Sequence, residues 1–210
     1  MIRREALFLG LTALFATATS SWALDRALTP DEQQMIADIG THNSAIRTMV
    51  GRFLQIDSQG GRTEGTFYLQ RPDKIRFRYN PPSREEIVSV GRGFYVMNRR
   101  DKTYYAYPQD TIPLRQFLGD QIDFTRSNII DVTTSDAYLT ITITDDTVAG
   151  TVQVSLIFDK NTKDLTQWSL VEPSGSELTF SLFDVQQDVE IPKSFFYIDA
   201  TYTALDPSSR

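Results

Sequence analysis

The chain of 210 residues carries 21 Lys and Arg against 27 Asp and Glu, a formal net charge of −6, with one histidine and no cysteine. That acidic balance argues against a nucleic-acid binder, which needs clustered cations to neutralise phosphates. Without cysteine there is no disulfide framework, no thiolate metal site and no cysteine-borne lipid anchor, so an exported domain must be held by packing alone.

Residues 1–23 have the form of a secretory signal peptide. Arg3 and Arg4 precede a short apolar run, Ala6–Ala18, and Ser21-Trp22-Ala23 is a small-x-small cleavage site. The run is shorter than the ~20 residues that span a bilayer as a helix. Cleavage after Ala23 is expected to leave residues 24–210 as one soluble domain able to bury a sizeable core.

Thr29-Pro30-Asp31-Glu32 reads as a helix start: Thr29 caps, Pro30 suits the first turn and Glu32 completes a capping box. The helix is expected to run to about Met49, with Gly40 as a weak point and Met35, Ile36, Ile39, Ile46 and Met49 near one stripe. After it the apolar period changes to two. Phe53–Ile56 and Thr63–Arg71 flank a Ser58–Gly61 turn, and Lys74–Tyr79 follows the Arg71-Pro72-Asp73 corner and stops at Pro81-Pro82. Glu86–Val90, Phe94–Asn98 and Thr103–Tyr107 continue the pattern. Thr111–Asp120 interrupts it with a predicted short helix carrying Leu114, Phe117 and Leu118. The last predicted strands are Tyr138–Thr144, Thr151–Asp159, Leu165–Val171 and Glu177–Asp184.

Roughly ten short strands with close turns predict one large antiparallel sheet, strongly curved or partly closed. Phe67 and Leu69 share a face, as do Ile75, Phe77 and Tyr79, with Arg76 and Arg78 opposite. The sheet is therefore wet on one side and apolar on the other. Two helices, one about a turn long, cannot cover so wide an apolar face, whose partners must sit roughly 10 Å away. Either the sheet closes on itself or a lipid-sized cavity remains beneath a thin lid. An outer-membrane barrel does not fit, because the strands are short and lack a lipid-facing aromatic girdle.

Catalysis has little to stand on. His42, the one histidine, falls on the predicted helix, and no Gly-x-Ser-x-Gly turn presents a nucleophile. Glu85 and Glu86 point to opposite faces as strand neighbours, and Asp145-Asp146 reads as a hairpin turn. Metal-ligand spacings are missing too. Arg71, Lys74, Arg76, Arg78, Arg84, Arg92, Arg99, Arg100 and Lys102 crowd one third of the chain, as a solvated strand face or a docking surface for an acidic partner.

In this order the chain resembles the periplasmic lipoprotein carriers of the LolA family. The matching residues are the amphipathic helix leading into Phe53-Leu54-Gln55, then Gly65-x-Phe67-x-Leu69-x-Arg71-Pro72, Phe77-x-Tyr79 with Pro81-Pro82, Ile87-Val88-Ser89-x-Gly91, and Trp168 ahead of a Gly175 turn. The resemblance implies a mainly β, α+β fold: an incomplete antiparallel β-barrel whose helices close the mouth. It implies a non-enzymatic, cofactor-free shuttle in the periplasm. Such a shuttle takes acylated lipoproteins from an inner-membrane ABC-type releasing complex and delivers them to an outer-membrane acceptor or to the membrane itself. It assigns the cavity wall to Ile75, Phe77 and Tyr79, together with Phe67 and Leu69 on the same face. The lid falls to the helix residues Ile36 and Ile39, and the lid latch to Arg71. A buried Arg71 needs a partner, which lid carbonyls or an Asp would supply. A carrier of free lipid or glycolipid, or a sensor of lipoproteins, would share all these features. One cavity is most simply served by a monomer.

Overall fold

The computed structural model describes residues 24, 26–113, 115–147 and 150–207. The expected signal peptide and Leu114 lie outside the described residues. Helix α1 spans Pro30–Ala45 and opens as expected: Thr29 Oγ1 accepts from the Glu32 N–H, and the Glu32 carboxylate accepts from the Thr29 N–H at 2.8 Å. It ends earlier than its apolar stripe suggests. Ile46 is already extended, so Ile46 and Met49 belong to the entrance of the first strand and are buried there.

The strands are β1 (Thr48–Asp57), β2 (Arg62–Gln70), β3 (Lys74–Tyr79), β4 (Glu85–Val90), β5 (Gly93–Asn98), β6 (Thr103–Pro108), β7 (Asn128–Thr134), β8 (Tyr138–Thr147), β9 (Gly150–Asp159), β10 (Leu165–Val171), β11 (Glu177–Gln187) and β12 (Thr203–Leu205). They form one sheet in the order β12-β6-β5-β4-β3-β2-β1-β11-β10-β9-β8-β7. Every pairing is antiparallel except β12 on β6. The two edge strands do not pair with each other. The sheet is therefore an open, mostly antiparallel wrap, with β7 and β12 beyond the strands expected from the alternation. The expected helix over Thr111–Asp120 is instead a lid segment with 3₁₀ turns at Gln109–Thr111 and Arg115–Leu118. Further 3₁₀ turns lie at Phe124–Arg126 and Lys193–Phe196.

The apolar side of this sheet divides into two regions. Over β7–β10, Ile36 and Ile39 of α1 pack with Phe117, Ile122 and Phe124 onto Leu139, Ile141, Val154, Leu156 and Phe158. Ile39 and the five strand residues have no exposed surface, so this half is a filled core. Over β1–β4 the buried set is Ile46, Met49, Phe53, Phe67, Leu69, Tyr79, Leu118 and Phe180, with Ile75, Phe77, Ile87 and Leu178 only partly covered. Helix α1 fills one half of the sheet, and the other half has only the lid segment above it. That difference creates the cavity.

Candidate functional site

The cavity has a volume of about 490 Å³ and an apolar wall. Phe67, Leu69, Ile75, Phe77 and Tyr79 all line it, brought together by the β2–β3 register, which sets Phe67 opposite Phe77 and Leu69 opposite Ile75. Across-strand partners share a face, so one hairpin supplies a continuous apolar panel. Two glycines let its aromatic rings lie flat against neighbouring backbone. Gly65 is opposite both Phe53 and Tyr79, and a Cβ on it would come within 2.5 Å of the Phe53 ring and 2.3 Å of the Arg78 carbonyl. Gly51 leaves the same room for Phe67, whose ring would be 2.7 Å from an added Cβ. Phe53, with no exposed surface, then meets Phe77 and Tyr79 edge-on at centroid distances of 5.2 and 5.1 Å.

The opposite wall escapes the sequence reading. Trp168 of β10 stacks on Phe180 of β11 at 4.1 Å and 9°, and Leu178, Phe180 and Leu182 present one face of β11 to the cavity. Their alternation is visible in the sequence, and would have marked β11 as a second wall. Ile112, Phe117 and Leu118 close the cavity from the lid segment. Ile36 and Ile39, expected on the lid, sit in the filled core and not on the cavity wall.

Polar groups in the lining are few. The Tyr79 hydroxyl donates to Gln55 Oε1 at 2.6 Å, and its burial, followed by the Glu85 charge, raises its pKa well above the ordinary tyrosine value. Arg71 is 6 % exposed, and among the described residues it has no carboxylate within ion-pair distance. Its Nε donates to the Phe117 carbonyl at 3.0 Å and its Nη1 to the Ile46 carbonyl at 2.7 Å. Of the two partners open to it, Arg71 takes carbonyls: one from the lid segment, one from the junction between α1 and β1. Burial, then the neighbouring charge of Arg47, lowers the guanidinium pKa to about 10, which leaves it charged at neutral pH.

The same corner holds the lid at further points. The Asp73 N–H donates to the Leu118 carbonyl at 2.7 Å, and Gln109 Nε2 donates to the Asp73 carbonyl at 2.9 Å and to Ser89 Oγ at 2.6 Å. Both ends of the lid segment are thus tied to the β2–β3 turn. At its other end the lining reaches Thr147 and Glu172, beside the β8–β9 and β10–β11 turns. His42 is engaged elsewhere: its Nε2 is 2.8 Å from Asp164 Oδ1, in the turn between β9 and β10. Burial raises the Asp164 pKa, but hydrogen bonds with His42, Gln187 and Thr162 more than offset it, and the net shift is downward. Among the described residues no group of three or more His, Cys, Asp or Glu side chains converges as a metal site would require, and no helix is long and apolar enough to cross a membrane.

An open antiparallel sheet wrapped around an apolar cavity defines the class of incomplete β-barrels. Within that class the chain belongs to the LolA family, described as outer membrane lipoprotein carrier protein, whose family model matches residues 44–199. A curated outer-membrane lipoprotein carrier protein from Alkalilimnicola ehrlichii is 32 % identical over 68 residues, which is 30 % of this chain and 32 % of that protein. The match thus spans about a third of that relative's length. Two solved structures share the fold at low identity. A DUF1329 family protein from Desulfovibrio piger superposes with a TM-score of 0.51 and 9 % identity over 78 % of this chain and 95 % of its own. An uncharacterized conserved protein from Thermus thermophilus gives 0.50 and 7 % over 81 % and 97 %.

Proposed function

We propose that this protein is a periplasmic carrier that seats the acyl chains of lipoproteins in the cavity between the β2–β3 panel and β11. It would take its cargo from an inner-membrane ABC-type releasing complex and surrender it to an outer-membrane acceptor or the membrane itself. The observation that supports this most is the uncovered half of the sheet: an apolar hollow of about 490 Å³ beneath a lid segment, in a chain of the lipoprotein-carrier family.

The energetics suit the task. Each buried methylene is worth ~0.8 kcal/mol, so one long acyl chain holds a protein to its membrane by roughly 10 kcal/mol. Crossing water requires a hollow of comparable apolarity, and delivery requires that the hollow be easily opened. In this reading Phe67, Leu69, Ile75, Phe77 and Tyr79 hold the chains, and Arg71 acts as the latch. Its bonds to Phe117 and Ile46 are charge-assisted, worth ~1.5–3 kcal/mol each, small beside the cargo's own burial. A carrier thus exchanges a weak latch for a strong ligand.

Native mass spectrometry of the protein purified from its own export compartment, beside an Ile75→Glu variant, tests the proposal. Co-purifying acylated protein that is lost in the variant is the expected result. A free lipid or glycolipid in its place would assign the cavity a different cargo, and a persistently empty protein would remove the carrier reading.

A further inference from the structure

On the outward side of the same panel, four arginines border an open hollow of about 410 Å³: Arg78 of β3, Arg84 of the β3–β4 turn, and Arg99 and Arg100 of the β5–β6 turn. Arg99 is held in place, its Nη2 donating to the carbonyls of Tyr79 at 2.6 Å and Ser83 at 3.0 Å. The hollow therefore backs directly onto the strand that carries the cavity wall. The carboxylate beneath it is Glu86, 2 % exposed; it lies 2.7 Å from Arg76 Nε and only 3.9 Å from Arg78 Nε. Asp101, next in the turn, accepts from Asn98 Nδ2 at 2.9 Å. Arg84, Arg99 and Arg100 form no ion pair with a carboxylate among the described residues. Three guanidinium groups without a paired carboxylate, beside a fourth that shares Glu86 with Arg76, repel one another, and in a chain of net charge −6 such a concentration is not a by-product of composition.

We propose that the Arg78–Arg84–Arg99–Arg100 hollow binds the phosphate of an anionic phospholipid headgroup and so docks this face of the protein on a membrane surface. The chemistry follows from the lining. Guanidinium groups present planar, forked donors that match phosphate oxygens bidentately. The hollow offers no aromatic or aliphatic anchor of the kind that seats a peptide side chain. A membrane surface presents many phosphates at once, which matches four cations better than a single small ion does, and each cation near an anionic surface adds to partitioning. The overall acidity would hold the rest of the molecule away from that surface, so the contact also fixes orientation: the turn end of β3–β6 faces the lipid. This site goes beyond acyl-chain carriage and does not depend on what the cavity holds.

Flotation with vesicles tests it, using phosphatidylcholine with and without phosphatidylglycerol at low and high salt. The expected result is binding only to the phosphatidylglycerol vesicles, weakened by salt, and reduced on the order of tenfold or more in Arg84→Ala/Arg100→Ala. Both side chains are exposed, so that variant is expected to fold, which its thermal midpoint checks. Arg52→Ala/Lys160→Ala removes the same charge elsewhere and should bind as the parent does. Equal loss in the two variants would overturn the site in favour of diffuse electrostatics. Binding of titrated inorganic phosphate by a protein that ignores both vesicles would overturn the headgroup assignment.

Discussion

Arg71 carries a charge into a buried corner and satisfies it with two carbonyls, one from the lid segment and one from the junction of α1 with β1. Arg71→Leu fits the surrounding apolar volume and leaves the Phe117 and Ile46 oxygens without their donor. Opening the lid lets water replace the missing donor, so the sheet should fold normally while amides in 109–118 exchange about tenfold faster or more in hydrogen-exchange mass spectrometry. Unchanged exchange across that segment would deny Arg71 a latch role. Gly65 works differently, through what it lacks. Gly65→Ala places a methyl 2.5 Å from the Phe53 ring and 2.3 Å from a β3 carbonyl, and neither backbone nor a fully buried ring can move aside. Overpacking of this kind costs ~1–3 kcal/mol, visible as a lowered urea midpoint with an unchanged slope.

The start of helix α1 is sensitive to acid. Glu32 serves both the capping box and an ion pair with Arg26 at 2.6 Å. The Arg26 hydrogen bond, with the Thr29 N–H next, lowers its pKa from 4.5 to about 2. A depressed carboxylate contributes stability that is complete above its unfolded value and is lost as pH falls through the folded one. Helix α1 should therefore loosen between pH 4.5 and about 2, and Glu32→Gln should flatten that part of the stability profile. Thr29→Ala, which removes the cap itself, is expected to cost about 1 kcal/mol at neutral pH.

The start of α1 was legible because a cap, a proline and a glutamate sit in fixed spacing. Its end was not, since Ile46 and Met49 continue the helical stripe while lying at the extended C-cap and in β1, and no glycine marks the boundary. The β2–β3 panel was equally plain, its alternation unbroken through Phe67, Leu69, Ile75, Phe77 and Tyr79. Strand β7 escaped notice because a bulge between Ile129 and Asp131 breaks its period. Strand β12 has three exposed residues and exists only because β6 offers an edge. The lid segment shows the limit of local patterning. Thr111 and Pro113 resemble a helix start, yet tethers at Gln109, Asp73 and Arg71 hold the stretch as 3₁₀ turns over the cavity.

For the whole molecule, the unequal cover of one wide sheet matters most. The half under α1 holds side chains with no exposed surface, while the half under the lid keeps a hollow. On the proposed carrier function, stability and binding fall to different ends of the same sheet. Truncating Leu156 to Ala in the filled half should cost ~2–5 kcal/mol, whereas Leu178→Ala on the cavity wall should cost far less, as compared by thermal unfolding. An acyl ligand should stabilise the parent protein by about 2.7 kcal/mol at a hundredfold excess over its dissociation constant, seen as a raised midpoint. The most direct measurement is a fluorescence titration of the purified protein with a diacylated lipopeptide, run beside a folded Phe77→Glu variant. Saturable one-to-one binding by the parent, lost at least tenfold when a carboxylate is set in the cavity wall, is the predicted result. Equal binding by both proteins would place the acyl chains elsewhere and contradict the cavity as the cargo site.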